Sequence, residues 1–406
     1  MSEHLVIVGG GQAAVQAAQS ARQSGFTGAL TLVGDESRPP YQRPPLSKKY
    51  LAGELDADRL LIRPQQFYRD RQVILKLGVH AEEIEPSARR VRLDDDSTLD
   101  YDYLLLATGS RVRRLQVPGS ELEGVYYLRT IADGDAIRRH LSTAERIVVV
   151  GGGYIGLEVA AVCRRLGLDV TILEATDRIL GRVVAADTAR FFARLHADAG
   201  VAIHCNAVVT EIKGGRQVSA VVCADGRTFD CDAVIIGIGI LPNDSLASTA
   251  GLPCENGILV DVLARTADPR IAAAGDCTNQ PHPWVGTRIR LESVHNAIEQ
   301  AKAATKSLFE APTEFSDVPW FWSDQYDVKL QIAGISSPHD EVIIRGEPRA
   351  GSFAVYYLAD GLPVAVDAIN SPKDFLFAKK ILRKRIPIPA EIIRDATRDL
   401  SEFAEP

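Results

Sequence analysis

Two short glycine runs are the parts of this 406-residue chain whose spacing best suits chemistry. Gly9-x-Gly11-x-x-Ala14 and Gly151-x-Gly153-x-x-Gly156 each follow an apolar, β-branched stretch and precede a helical pattern. The first glycine of such a run permits a tight turn, and the second lets backbone approach a pyrophosphate. A small third residue lets helix and strand pack closely. The anion then rests on unpaired N–H groups at a helix N-terminus, where the peptide dipoles favour negative charge. An acid follows the next strand in both copies: Asp35 stands 24 residues after Gly11, and Glu174 stands 21 after Gly153. A carboxylate at that place can accept both ribose hydroxyls of an adenosine.

One such turn is weak evidence. Two complete copies, 142 residues apart, imply two dinucleotides. The natural pairing is FAD held permanently and NADH visiting. NADH is favoured over NADPH because Glu174 would repel a 2′-phosphate and no arginine directly follows it, Arg178 being the nearest.

The elements that must carry these turns read as a repeat. Residues 4–9 form a strand, Ala13 to Ser24 a helix ending near Gly25, and Ala29–Val33 a second strand. The same order recurs from Arg146, with a helix to Leu166 and a strand over Asp169–Leu173. β-α-β order implies a parallel sheet covered by helices. Buried strands over Tyr103–Ser110 and Ala233–Gly239 end in small-residue turns, and Val294–Leu308 reads as a helix. From Pro319 the texture changes to the aromatic cluster Trp320-Phe-Trp322, strands near Leu330, Val342 and Val355, and a basic amphipathic segment from Phe375 to Arg385. The fold class expected is α/β: two Rossmann-like dinucleotide-binding domains plus a C-terminal α+β domain. The expected boundaries are 1–112 with 241–319 for a discontinuous FAD domain, 113–240 for the NADH domain, and 320–406 for the tail domain.

Bulk properties narrow the class. A net charge of −7 argues against a nucleic-acid binder. Apolar runs stop well short of the ~20 residues a membrane span needs, and no charged segment followed by an apolar one stands at the start, so neither a membrane nor a secretory signal is expected. The six cysteines form no C-x-x-C pair and no zinc spacing. They read as buried reduced thiols of a cytoplasmic protein, and no metal site is expected.

With these motifs in view, the chain resembles the two-dinucleotide flavoprotein superfamily of pyridine-nucleotide reductases, with a glutathione-reductase-like fold. The resemblance covers residues 4 to about 325. In that superfamily the first turn binds FAD and the second NAD(P)H. Ala107-Thr108-Gly109 and Ile271–Asp276 look like its further FAD signatures, with Asp276 on the ribitol chain. The deciding stretch is Tyr41-Gln-Arg-Pro-Pro-Leu-Ser-Lys48. The disulfide-reductase branch carries a cysteine pair there and this chain has none. The run instead resembles the oxygenase-coupled ferredoxin reductases, a branch shared with apoptosis-inducing factor. Two consecutive prolines stiffen such a loop against a planar ring and remove two N–H groups that would need partners.

The resemblance assigns Gly9, Gly11, Ala13, Ala14, Asp35, Arg43, Pro44, Lys48, Ala81, Ala107, Thr108, Gly109, Arg129, Asp276, Val294 and Trp322 to FAD. It assigns Gly151, Gly153, Tyr154, Ile155, Gly156, Glu158, Glu174 and Gly239 to NADH. Lys48 and Glu158 are expected as a pair that steers nicotinamide in and out. His295 stands where proline or tryptophan is expected and reads as a packing residue.

The activity so implied is hydride transfer from NADH to FAD, then single electrons to an acidic 2Fe–2S ferredoxin serving an aromatic-ring dioxygenase or a haem monooxygenase. A helix N-terminus after Val294 would stabilise the charge reduction brings to the flavin. Lys379-Lys380 and Arg383-Lys384-Arg385, with Arg111, Arg113 and Arg114, offer a basic landing surface, unless they form only a solvated face. Two rivals stay open: a peroxide-forming NADH oxidase, and a redox-sensing flavoprotein like apoptosis-inducing factor. The missing cysteine pair excludes a disulfide reductase.

Overall fold

The computed structural model describes residues 3–309 and 317–403. Contacts divide the chain into two compact units: Met1–Gln42 with Asp58–Arg111 and Leu241–Trp320, and Arg43–Ala57 with Val112–Ile240 and Phe321–Pro406.

The first unit is built on β1 (His4–Val8), whose side chains alternate between two cores. Leu5 and Ile7 face one, Val6 and Val8 the other, as a strand buried on both faces requires. α1 (Gln12–Gln23) follows, and β2 (Ala29–Gly34) returns parallel to β1 with Val33 beside Val8. The parallel sheet runs in the order Ile271–Ala273, Tyr103–Leu106, β1, β2, Ile74–Leu77. α1 and the helix Val294–Phe309 share one core with Leu5 and Ile7 through Ala14, Ala17, Ala18, Ala297, Ala301 and Ala304. Alanine keeps helical propensity high and takes little room, so the helices lie close to the sheet and to each other. A small antiparallel sheet, Ala81–Glu85 with Arg90–Leu93 and Thr98–Asp100, completes the unit.

The second unit repeats the plan. β3 (Arg146–Val150), α2 (Tyr154–Arg165) and β4 (Asp169–Leu173) stand in the same order, and α3 (Ala186–Asp198) packs on the same side as α2. The parallel sheet runs Ala202–His204, β4, β3, Ala233–Ile236, Val125–Tyr127. The tail supplies a five-stranded sheet that includes β5 (Trp320–Gln325) and β6 (Leu362–Ile369), with a helix over Pro372–Lys384.

The tail shares its core with the nucleotide fold. Leu330, Phe353, Val355, Tyr357 and Ile369 pack with Phe191, Phe192 and Val184, and the rings of Phe191 and Phe353 meet edge-on at 5.2 Å. Leu51 joins the same core, which ties the stretch 43–57 to this unit. Sequence order alone places that stretch with the strands before it. Its contacts go instead to α2 and to the helix Ile131–Leu141, where the Tyr50 hydroxyl donates to Asp135 at 2.6 Å.

Candidate functional site

The first glycine turn is forced by its neighbours. The Gly9 N–H donates to Val33 O at 2.8 Å, and φ is +135°, outside the range of an ordinary L-residue. A Cβ on Gly9 would lie 2.1 Å from Ala107 O, so the turn and the Ala107-Thr108-Gly109 strand end pass at backbone distance. Thr108 Oγ1 donates to Asn243 O at 2.6 Å, and Ser110 Oγ donates to Asp276 at 2.8 Å. Asp35 is exposed just beyond β2, whereas Ala81 is buried in a core. Val294 opens the helix Val294–Phe309. His295 is buried and packs, with its ring 5.5 Å from that of Trp320 and Nε2 3.1 Å from Asp317.

The second turn repeats the geometry. The Gly151 N–H donates to Leu173 O at 2.8 Å with φ +107°, and a Cβ on Gly156 would lie 2.0 Å from Gly151 O. The acid after β4 is held at the rim: Gly152 N–H donates to Glu174 Oε2 at 2.7 Å, and Thr176 donates to Oε1 from its N–H at 2.8 Å and its hydroxyl at 2.7 Å. Arg178 turns elsewhere, donating to Gly181 O at 3.2 Å. Tyr154 begins α2, with its ring 4.7 Å from Phe321. Ile155 is exposed, and Gly239 takes φ +104° in the turn after the strand Ala233–Ile236.

Gly11 and Gly153 test whether dinucleotides fit. Both are N-caps with extended backbone, and no side chain caps either helix. A Cβ at either would meet nothing within 4 Å. The protein's own packing therefore gives no reason for glycine there, while a pyrophosphate laid on the helix N-terminus does. The residues present suit FAD at one turn and NADH at the other.

Near the second turn stands a charge pair whose acid is buried and whose lysine is partly exposed. Pro44–Ser47 form a single 3₁₀ turn that begins on proline and delivers Lys48 at its end. Lys48 Nζ lies 2.7 Å from Glu158 Oε2, one turn of helix beyond Tyr154, and also donates to Pro44 O at 3.2 Å. Arg43 donates to Arg129 O at 2.7 Å. Burial pushes the Glu158 carboxyl up, opposed by Lys48, then by Ser323 and Ser47. Ser47 Oγ donates to Oε2 at 2.5 Å and Ser323 Oγ to Oε1 at 2.6 Å. Trp322 sits beside Ser323 on β5, its ring 6.4 Å from Phe321.

No role was expected for Ser47, which lies inside the Tyr41–Lys48 run, or for Ser323, Gln325 and His196. A second group also escaped notice: Asp367 on β6 accepts from Tyr357 at 2.6 Å and Thr188 at 3.0 Å, fully buried. The alternation of polar residues Ser323 and Gln325 along a strand was the one local sign that they point inward together.

All six cysteines are unpaired. Burial raises the thiols of Cys163 and Cys231 to about 12, with Asp232 adding to the rise at Cys231. Cys254 is raised to about 11, by burial and then by Asp244. Among the described residues no helix is long and apolar enough to cross a membrane.

Residues 3–301 match the pyridine nucleotide-disulphide oxidoreductase family and residues 320–404 the reductase C-terminal family. The chain belongs to the pyridine nucleotide-disulphide oxidoreductases, as a flavoprotein that uses FAD and NADH. It is 41% identical to rhodocoxin reductase of Rhodococcus erythropolis over 397 residues, 98% of this chain and 93% of the relative. The ferredoxin reductase for the CYP199A2 system of Rhodopseudomonas palustris superposes with a TM-score of 0.97 at 38% identity, covering 99% of this chain and 100% of that one. Putidaredoxin reductase, in its covalent complex with putidaredoxin, superposes with a TM-score of 0.96 at 40% identity, covering 99% and 98%.

Proposed function

We propose that the protein is an NADH-dependent ferredoxin reductase: it takes a hydride from NADH onto FAD and passes single electrons to a 2Fe–2S ferredoxin that serves an oxygenase. Two dinucleotide turns without any cysteine pair to relay electrons carry this reading. Relatives named as reductases of rhodocoxin, putidaredoxin and dioxygenase ferredoxins support the choice of acceptor.

Bound FAD supplies the conversion between a two-electron donor and a one-electron acceptor. The chain's own work is binding and orientation. Gly9, Gly11, Ala13 and Ala14 would seat the FAD pyrophosphate, Asp35 its ribose and Asp276 its ribitol chain. Ala81, Thr108, Gly109, Val294, Arg43, Pro44, Arg129 and Trp322 are proposed flavin contacts on the resemblance. Gly151, Gly153 and Gly156 would seat the NADH pyrophosphate and Glu174 the adenosine ribose, with Tyr154, Ile155 and Gly239 lining its path. Lys48 and Glu158 would steer the nicotinamide end of NADH. Domains 1–112 with 241–319, 113–240 and 320–406 are proposed for FAD, NADH and the tail. Six unpaired thiols, four of them buried, support a cytoplasmic setting.

Gly153→Val tests the NADH turn. No protein atom stands near its Cβ, so the variant should fold and keep its flavin. The isopropyl group added where the pyrophosphate approaches should cost about 1–3 kcal/mol, roughly ten- to a hundredfold in the Kd for NADH. An unchanged Kd in fluorescence titration would sink this assignment.

The acceptor is tested by turnover. With NADH and a 2Fe–2S ferredoxin, reduction should exceed the rate with O₂ alone by orders of magnitude; comparable rates would favour the oxidase reading. Lys380, Arg383, Lys384 and Arg385 lie on the exposed side of the helix Pro372–Lys384 and at its end. If this basic face receives an acidic ferredoxin, the rate should fall with added salt, because screening acts over about 10 Å at 0.1 M.

A further inference from the structure

Behind Glu158 runs a chain of buried polar groups that the proposed chemistry leaves unexplained. Ser323 Oγ lies 2.6 Å from Glu158 Oε1, Gln325 Nε2 lies 3.2 Å from Ser323 Oγ, and His196 Nε2 lies 2.9 Å from Gln325 Oε1. The chain ends where the Tyr326 hydroxyl meets His196 Nδ1 at 3.3 Å. Ser323, Gln325 and His196 are all 0% exposed, and Glu158 is 2% exposed. Buried polar residues are retained only where their hydrogen bonds are made. Here one protonation state of Glu158 settles every bond in the row.

A carboxylate only accepts, so it takes the single proton of Ser323. Ser323 Oγ then needs a donor, which fixes the amide of Gln325 with nitrogen toward serine and oxygen toward histidine. His196 must carry its proton on Nε2, and Nδ1 accepts from Tyr326. Burial depresses the imidazolium of His196, so the ring stays neutral and one nitrogen remains an acceptor. If Glu158 held a proton on Oε1, each step would reverse. Ser323 would donate to Gln325, the amide would turn over, and His196 would carry its proton on Nδ1.

We propose that Ser323, Gln325 and His196 are positioning residues for Glu158: a one-way hydrogen-bond chain that holds it as the carboxylate facing Lys48 and records its protonation state in the tautomer of His196. The functional weight of this chain rests on the proposed role of the Lys48–Glu158 pair. Around Glu158 the other titratable groups are Lys48, on the 3₁₀ turn, and Tyr154, on its own helix. Burial raises the Tyr154 phenol, so it does not titrate in the working range.

The test uses flavin-loaded protein labelled with ¹⁵N-histidine, with a His196→Phe sample to assign the resonance. At pH 8 the parent should show His196 as the Nε2–H tautomer. Glu158→Gln presents an amide N–H to Ser323 and should convert His196 to the Nδ1–H tautomer. Adding Ser323→Ala to Glu158→Gln should leave His196 as it is in Ser323→Ala alone. The same His196 shifts in the parent and in Glu158→Gln would overturn the proposal.

Kinetics give a second reading. In Ser323→Ala the acid limb of flavin reduction by NADH should move up by about one pH unit, the tenfold that one hydrogen bond onto a charged group is worth. Ser323→Thr, which keeps the hydroxyl, should restore it. Identical profiles in Ser323→Ala and the parent would also overturn the proposal. If the parent's flavin were not reduced by NADH at all, the functional reading would fail, while the tautomer comparison would still decide this one.

Discussion

Lys48→Met should slow reduction of the bound flavin by NADH by about a hundredfold, the scale of losing one preorganised charge at a reacting centre. It should also weaken the fold. Lys48 is 17% exposed along its side chain and its partner Glu158 only 1%. Removing one member of such a pair leaves the other's charge without compensation, at about 3–5 kcal/mol. Ser47 and Ser323 still donate to the carboxylate, which puts the expectation at the low end of that range. Burial already raises the Glu158 carboxyl, and Lys48 is the first of the groups that oppose the rise. The variant should therefore take up a proton at Glu158 and lose less stability in acid than in base. Lys48→Met with Glu158→Gln should recover most of the stability and none of the rate. Denaturant unfolding at two pH values, with stopped-flow reduction, measures both. A single variant that matched the parent in stability and rate would remove the pair from the mechanism.

The parts of this site that a sequence reveals are those whose physics is local. Gly9, Gly11, Gly151, Gly153 and Gly156 are legible because each turn lies within a few residues of the strand and helix it joins, and Asp35 and Glu174 follow one strand later. Those elements stand where the hydrophobic pattern placed them, within a residue or so at each end. Lys48 and Glu158, 110 residues apart, entered only through resemblance, since no periodicity links a 3₁₀ turn to a distant helix. Ser323 and Gln325 lay inside a stretch noticed for its tryptophans, while their partners are 165 and 129 residues away. Asp367 meets Thr188 across 179 residues.

The tail shows the same limit. Its change of composition at Pro319 is visible, and composition says nothing about which core a new sheet will join. Phe353 packs on Phe191, so the tail sheet and the second nucleotide fold bury their apolar faces together. That shared burial explains why polar residues sit where the tail sheet meets α2 and α3. Groups that must hold one geometry are locked most firmly where two packed layers enclose them.

Asp367→Asn should make the protein more stable at pH 8, an unusual direction for a buried substitution. The carboxyl of Asp367 is 0% exposed, and burial raises it from 3.8 to about 7, against the opposing hydrogen bonds of Tyr357 and Thr188. Both hydroxyls donate to Oδ2, while Oδ1 has no partner among the described residues. A raised acid is a cost of folding that grows with pH. Below the unfolded value of 3.8 both states are protonated and the cost vanishes. Between 3.8 and about 7 the native state holds a proton that the unfolded chain has lost, so stability falls as pH rises. Above about 7 the full cost is present, about 4 kcal/mol for a shift of roughly three units. Asparagine has the same shape, and its carbonyl can accept from both Tyr357 and Thr188. Its amide takes the place of Oδ1, as the protonated acid's hydroxyl would. The advantage of Asp367→Asn should therefore be largest at pH 8 and shrink to under about 1 kcal/mol by pH 4. Thermal unfolding of the flavin-loaded parent and variant across that range reads the difference directly. Parallel curves, or a variant less stable at pH 8 than at pH 4 relative to the parent, would show that Asp367 is not the proton-binding group this burial makes it.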